Sequence, residues 1–169
     1  MLTTNQFMNL YVSGQRNFEN FDFPQINLEN LHINQANFTG SNLIKAKWVQ
    51  NLLTGVSLKS AFLSEAILNL IDFEKAELDE IDLKQSYLKQ VRFVNANLRK
   101  ANLRKSQLLD VSFLESDLRG ANLSGLDLTQ TKFIKTDLRA ANLSDAKINQ
   151  QYIKQCDLSG AYLYNLQVL

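Results

Sequence analysis

Side chains able to do chemistry are few in this chain, and they are set far apart. There is one histidine, His32, and one cysteine, Cys156, near opposite ends of the sequence. A metal centre needs several His, Cys, Asp or Glu donors to converge. A nucleophilic enzyme needs a base beside its Ser or Cys. An isolated imidazole and an isolated thiol supply neither, and six scattered glycines build no phosphate-binding loop. What the chain does offer is charge in blocks. Glu65, Asp72, Glu74, Glu77, Asp79, Glu80 and Asp82 crowd one segment. Lys84, Lys89, Arg92, Arg99, Lys100, Arg104 and Lys105 crowd the next. Arg99, Arg119 and Arg139 recur at a spacing of 20. Such groups bind or pair; they do not make a catalytic constellation. The expectation is a protein without enzymatic activity, cofactor or metal.

The elements that position these groups follow from a beat of five. From Phe18, every fifth residue (Phe23, Leu28, Ile33, Phe38 and so on to Leu163 and Val168) is apolar: 19 Leu, seven Phe, three Ile, one Trp and one Val. A chain that is 45% apolar would leave about half of such positions polar, so the repeat takes precedence over any local reading. A step of five turns a helix by about 140° and would scatter these residues around its surface. In an unbroken strand the same step reverses the face. Only a backbone that bends once per pentad buries them together. The residue two before each Leu or Phe is small or apolar, giving an in–out–in alternation followed by two mostly polar corner residues.

The long-range matches set four sides to a coil. Phe73, Phe93, Phe113 and Phe133 stand 20 apart, as do Ala101, Ala121, Ala141 and Ala161. A coil of 20 residues stacks each set in a column, with backbone hydrogen bonds between coils. Nearly eight coils at about 4.8 Å each make a rod roughly 37 Å long. The units that carry the beat, such as ANLRK, ANLSG and ANLSD, resemble the pentapeptide-repeat family with its A(D/N)LXX repeats, over about residues 16–168. The resemblance implies an all-β fold, that family's right-handed quadrilateral β-helix. It also points to a cyanobacterial source, where many members have no assigned role.

Residues 1–15 precede the beat. Thr3 and Gln6 form a capping box, Gly14 can end a helix, and Phe7, Leu10 and Tyr11 share one face. They predict a short N-terminal helix capping the first coil, with 16–169 as the single solenoid domain. Pro24 falls at a corner, where its missing N–H is tolerated. Asn51 in an inward slot beside Trp48 predicts local distortion over 46–56. Cys156 occupies an inward slot and reads as a buried, inert thiol. One cysteine, no apolar run of membrane length and no leader pattern suit the cytoplasm.

Function is expected on the outside of the rod. Asp72 should stack on Arg92, Asp79 on Arg99 and Glu80 on Lys100, pinning the register. Arg99, Arg119 and Arg139 form an outward column beside Asn97, Asp117, Asp137 and Asp157, either paired with those acids or open to phosphate or an acidic partner. Val94, Leu114 and Ile134 should point outward together, a second surface for a partner. Tyr162, Leu163, Tyr164, Leu166 and Leu169, with Val168, would line an open last coil and form a tail-to-tail homodimer, an arrangement the resembled family uses. The reading is a non-catalytic interaction or scaffold protein with an unknown protein partner. The alternative, implied by the resemblance, is a DNA mimic acting on a type II topoisomerase such as DNA gyrase. Mimicry requires a strongly negative rod, whereas this chain has net charge +1. The same near-neutrality argues against nucleic acid or a membrane surface as partner.

Overall fold

The computed structural model describes residues 2–153 and 155–169; residues 1 and 154, within the expected cap and solenoid, lie outside the described set. The chain winds through about seven turns of a β-solenoid after one short helix. Every fifth residue from Phe18 to Ile148 is buried, and so is the residue two before it from Ile26 onward, apart from Leu31. Burying each Leu or Phe contributes about 1.5–3 kcal/mol.

Corners recur at multiples of five. Asn20, Lys45, Glu65, Glu80 and Lys100 are among the non-glycine residues with φ between 50° and 61°. Where Phe21 N–H reaches Phe18 O and Ala46 N–H reaches Leu43 O, the corner is a type II turn, which needs positive φ at its third residue. That conformation costs an L-residue about 1–2 kcal/mol. It is held because the same residue donates its N–H to the next coil, as Glu80 does to Arg99 O at 2.8 Å. At Gly120 and Gly125 glycine takes the corner without strain.

On one side, β1 (Asn27–Glu29), β2 (Lys47–Val49), β3 (Ile67–Asn69), β4 (Tyr87–Lys89) and β6 (Gln107–Leu109) form a parallel ladder in the order β1-β2-β3-β4-β6. On the next side, β5 (Arg92–Val94), β7 (Ser112–Leu114) and β9 (Lys132–Ile134) pair in parallel, so that Phe93, Phe113 and Phe133 share a register. Further up the first side, β8 (Asp127–Leu128), β10 (Lys147–Ile148) and β11 (Gln167–Val168) form a separate ladder. The remaining two sides hold single bridges such as Asn97↔Asp117 and Asn102↔Asn122. Phe73, Phe93, Phe113 and Phe133 stack with centroids 5.2, 4.9 and 5.3 Å apart and planes within 10°.

Most polar residues in inward slots are satisfied by one recurring bond, whereas the buried Thr131 hydroxyl has no partner among the described residues. The hydroxyls of Ser41, Ser106, Ser116 and Thr136 donate to the carbonyls of Phe18, Leu83, Phe93 and Phe113, each 23 residues earlier. Asn51 does the same from Nδ2 to Leu28 O at 2.9 Å, and its Oδ1 accepts from Leu31 N–H at 2.8 Å. The distortion expected over 46–56 is therefore not found: Asn51 completes the ladder, and β2 pairs with both neighbours.

The irregularity lies elsewhere, between β6 and β8. Gln85 and Gln90 donate to Arg104 O and Leu109 O of the next coil, but their equivalents Lys105 and Asp110 find no such acceptor among the described residues. A cleft of about 200 Å³ opens there between Ser106–Leu109 and Asp127, Thr129 and Gln130. The inward residues of the two coils match closely except at one slot, where Leu126 lies over Ser106. An isobutyl group stacked on a hydroxymethyl wedges the coils apart, since a close-packed core does not absorb extra volume without backbone shifts.

At the base, α1 (Thr4–Val12) starts on the Thr3/Gln6 capping box and buries Phe7. The Phe7 ring lies 4.9 Å from Phe18 and 5.8 Å from Phe38, so the helix closes the first coil as expected.

Candidate functional site

The arginine column is built by the i−1 and i+1 positions of one side. Asp117 accepts from its own turn's Arg119 N–H at 3.0 Å, which draws the carboxylate alongside the backbone. The guanidinium then folds back onto it, with Nε at 2.9 Å and Nη2 at 2.6 Å. Arg139 repeats this on Asp137. Longer contacts of 3.6 and 3.7 Å link Arg119 to Asp137 and Arg139 to Asp157, so the charges alternate up the rod. Burial pushes the Asp117 carboxyl up, but hydrogen bonds and charge from Arg119 outweigh it and hold the group below the usual carboxylate range. The bond to Arg139 holds Asp137 low in the same way, against a smaller burial effect.

Arg99 differs. Its i−1 neighbour is Asn97, and among the described residues its guanidinium has no hydrogen-bonded or ionic partner. The expected Asp72–Arg92 and Glu80–Lys100 pairs form at 3.1 and 2.7 Å, but Asp79–Arg99 does not. The column is thus two neutralised arginines and one open one, not a uniform cationic stripe.

The apolar column is in register. Val94, Leu114 and Ile134 face one another along β5, β7 and β9; the first two are half-buried and Ile134 is exposed. The column runs into a cavity of about 330 Å³ lined by Lys132, Phe133, Ile134, Gln151, Tyr152 and Gln155. A 3₁₀ turn at Gln150–Tyr152 forms one wall of it. Reasoning from the sequence missed this cavity. The signal was Gln151, a polar residue in an inward slot, here exposed.

In the same last coil, Tyr162, Leu163, Tyr164, Val168 and Leu169 are exposed, and Leu166 is half-buried against the core. Cys156 occupies its inward slot but is only half-buried, because it lies in the last coil. Its thiol donates to Phe133 O, and burial pushes its pKa up. His32 is exposed, and its backbone carbonyl accepts from Tyr11. Among the described residues no three His, Cys, Asp or Glu converge as metal ligands, and no helix is long and apolar enough to cross a membrane.

Comparison with known proteins agrees with this geometry. The family described as pentapeptide repeat region matches residues 66–143 and 86–163, and that described as pentapeptide repeats (8 copies) matches 17–47 and 32–74. No curated protein matches the sequence. Among solved structures, full-length QnrB1, a plasmid-mediated fluoroquinolone resistance protein, superposes with a TM-score of 0.55 at 12% identity, over 88% of this chain and 93% of its own. HetL, involved in heterocyst differentiation regulation in the cyanobacterium Nostoc sp. strain PCC 7120, is 23% identical over 99% of this chain and 95% of its own, with a TM-score of 0.47. Rfr23, from the cyanobacterium Cyanothece 51142, is 19% identical over 98% and 99%, with a TM-score of 0.32. At 12% identity the likeness to QnrB1 speaks to the fold alone.

Proposed function

Since the chain belongs to the pentapeptide-repeat family, we propose that it is a non-catalytic interaction or scaffold protein of the cytoplasm, docking a protein partner on the face of β5, β7 and β9. One observation carries this reading. Val94, Leu114 and Ile134 align on a flat ladder and lead into the cavity beside Tyr152. Contiguous apolar surface next to a pocket suits an anchor side chain from a partner. Affinity capture from the native host tests it, with wild-type protein beside the variants Leu114→Glu and Ile134→Glu. A partner retained by the wild type and lost from both variants, at unchanged thermal stability, supports the reading. The same captured set from all three sinks it.

Exposed Leu163, Val168 and Leu169, flanked by Tyr162 and Tyr164, support a second proposal, that a further copy of the chain covers this edge. Size-exclusion chromatography with light scattering is the check, and a monomer at high concentration removes it. DNA mimicry towards DNA gyrase has less support. Glu65, Asp72, Glu77, Glu80 and Asp82 are each engaged by a lysine or arginine, so the acidic belt presents little net field. A supercoiling assay with gyrase and quinolone separates the readings.

A further inference from the structure

The side opposite Val94–Leu114–Ile134 carries a cationic corner where two of three charges, those of Arg104 and Lys105, meet no carboxylate among the described residues. Lys84 and Arg104 stack in one column and Lys105 follows Arg104 at the corner. Together with Gln85 and Asn102 they line a cavity of about 160 Å³. One carboxylate stands near, Asp82, already contacted by Lys84 at 3.3 Å and by Asn102 Nδ2 at 3.1 Å. Arg104 and Lys105 have no acidic partner among the described residues, and the Gln85 side-chain amide makes no hydrogen bond there. The columns continue into Ser124 and Gly125 above and into Ser64 and Glu65 below, the Glu65 carboxylate being taken by Lys45 at 3.4 Å.

This contrasts with the paired cations elsewhere on the rod. Arg119 and Arg139 are each closed by an aspartate, and Lys100 and Lys135 by a glutamate. Like charges stacked at strand spacing repel, and here Asp82, in contact with Lys84, offsets one of the three cations. A bound anion offsets the others. A guanidinium grips a phosphoryl group through two parallel N–H bonds, and lysines act on it as point charges.

We propose that Lys84, Arg104 and Lys105, with the Gln85 amide, form a binding site for a phosphoryl group. The group is either free phosphate or a phosphorylated side chain presented by another protein.

The test is amide NMR of the full chain at low salt. It is titrated with inorganic phosphate, with a phosphoserine peptide, with that peptide unphosphorylated, and with sodium chloride at matched ionic strength. The expected result is saturable shifts at Gln85, Arg104 and Lys105 with phosphate or phosphopeptide, and none with the two controls. Arg104→Gln with Lys105→Gln should weaken binding by at least about tenfold, the loss of charge-assisted bonds. Lys89→Gln, on another face, should leave it unchanged. Tighter binding of the phosphopeptide assigns the group to a partner protein; tighter binding of inorganic phosphate assigns it to free anion. Equal shifts with chloride, unchanged affinity in the double variant, or equal weakening by Lys89→Gln would overturn the proposal. So would binding seen with duplex DNA alone.

Discussion

Two adjacent sides of this rod are made of short parallel strands, yet the ladder of β5, β7 and β9 keeps its pairing from coil to coil and the other is cut between β6 and β8. Along β5, β7 and β9 each coil presents the same ring to the next, and Phe73 to Phe133 stack without a break. Along the neighbouring side the ladder runs to β6, then stops before β8, where Leu126 follows Ser106. An earlier mismatch on that side does no harm. Ile26 gives way to Ala46, but Leu28 gives way to Trp48 in the same coil, and the volume is restored. A solenoid column therefore tolerates substitution when its coil keeps the same cross-section, and it opens when one slot grows alone.

The comparison can be broken hardest at Phe113. Phe113→Ala removes the centre of the ring stack and should cost about 3–5 kcal/mol, read as a fall in the denaturation midpoint. Asn51→Ala should cost less, about 1–3 kcal/mol, because it leaves Leu28 O and Leu31 N–H without partners in a ladder that is otherwise whole. Leu126→Ala sharpens the contrast. A buried Leu→Ala change ordinarily costs about 2–5 kcal/mol, and here relief of the wedge offsets part of it. The amides of Lys105, Leu108 and Asp110 should gain hydrogen-exchange protection in this variant, whereas Leu123→Ala should slow none of them. Unchanged exchange at Lys105 and Asp110 would show that Leu126 is not the wedge.

The smallest effect is in the arginine column. Asp117 and Asp137 have depressed pKa values in the folded state. Their contribution is present above the unfolded carboxylate value, about 3.9, and is lost as pH falls through the lower folded value. Replacing both by Asn should flatten the acid limb of the stability–pH curve and leave the alkaline limb as it was.

The register was legible because it rests on a single rule applied many times. Each inward Leu or Phe repeats the same information, and the 20-residue echoes fix the number of sides. What escaped prediction depends on neighbours rather than on the rule. Asn51 looked like a defect because polarity at an inward slot was judged alone. Its amide spans 23 residues to Leu28 O, the reach that Ser41 and Ser116 use, and so closes the ladder. Leu126 looked ordinary because Leu is common, and its effect appears only against Ser106. Arg99 was expected to meet Asp79 in the coil below. In Arg119 and Arg139 the guanidinium turns to the aspartate two residues earlier in its own turn, and Asn97 denies Arg99 that carboxylate. The Lys84–Arg104–Lys105 corner was visible as a block of charge, but which cations stay open depends on side-chain pairing.

Since the bonds between coils run along the axis of the rod, tension applied to its two ends loads the turns in series. The molecule should then unzip one turn at a time at modest force, without the abrupt rupture of strands sheared side by side. The cut beside β8 should be the first place to give way.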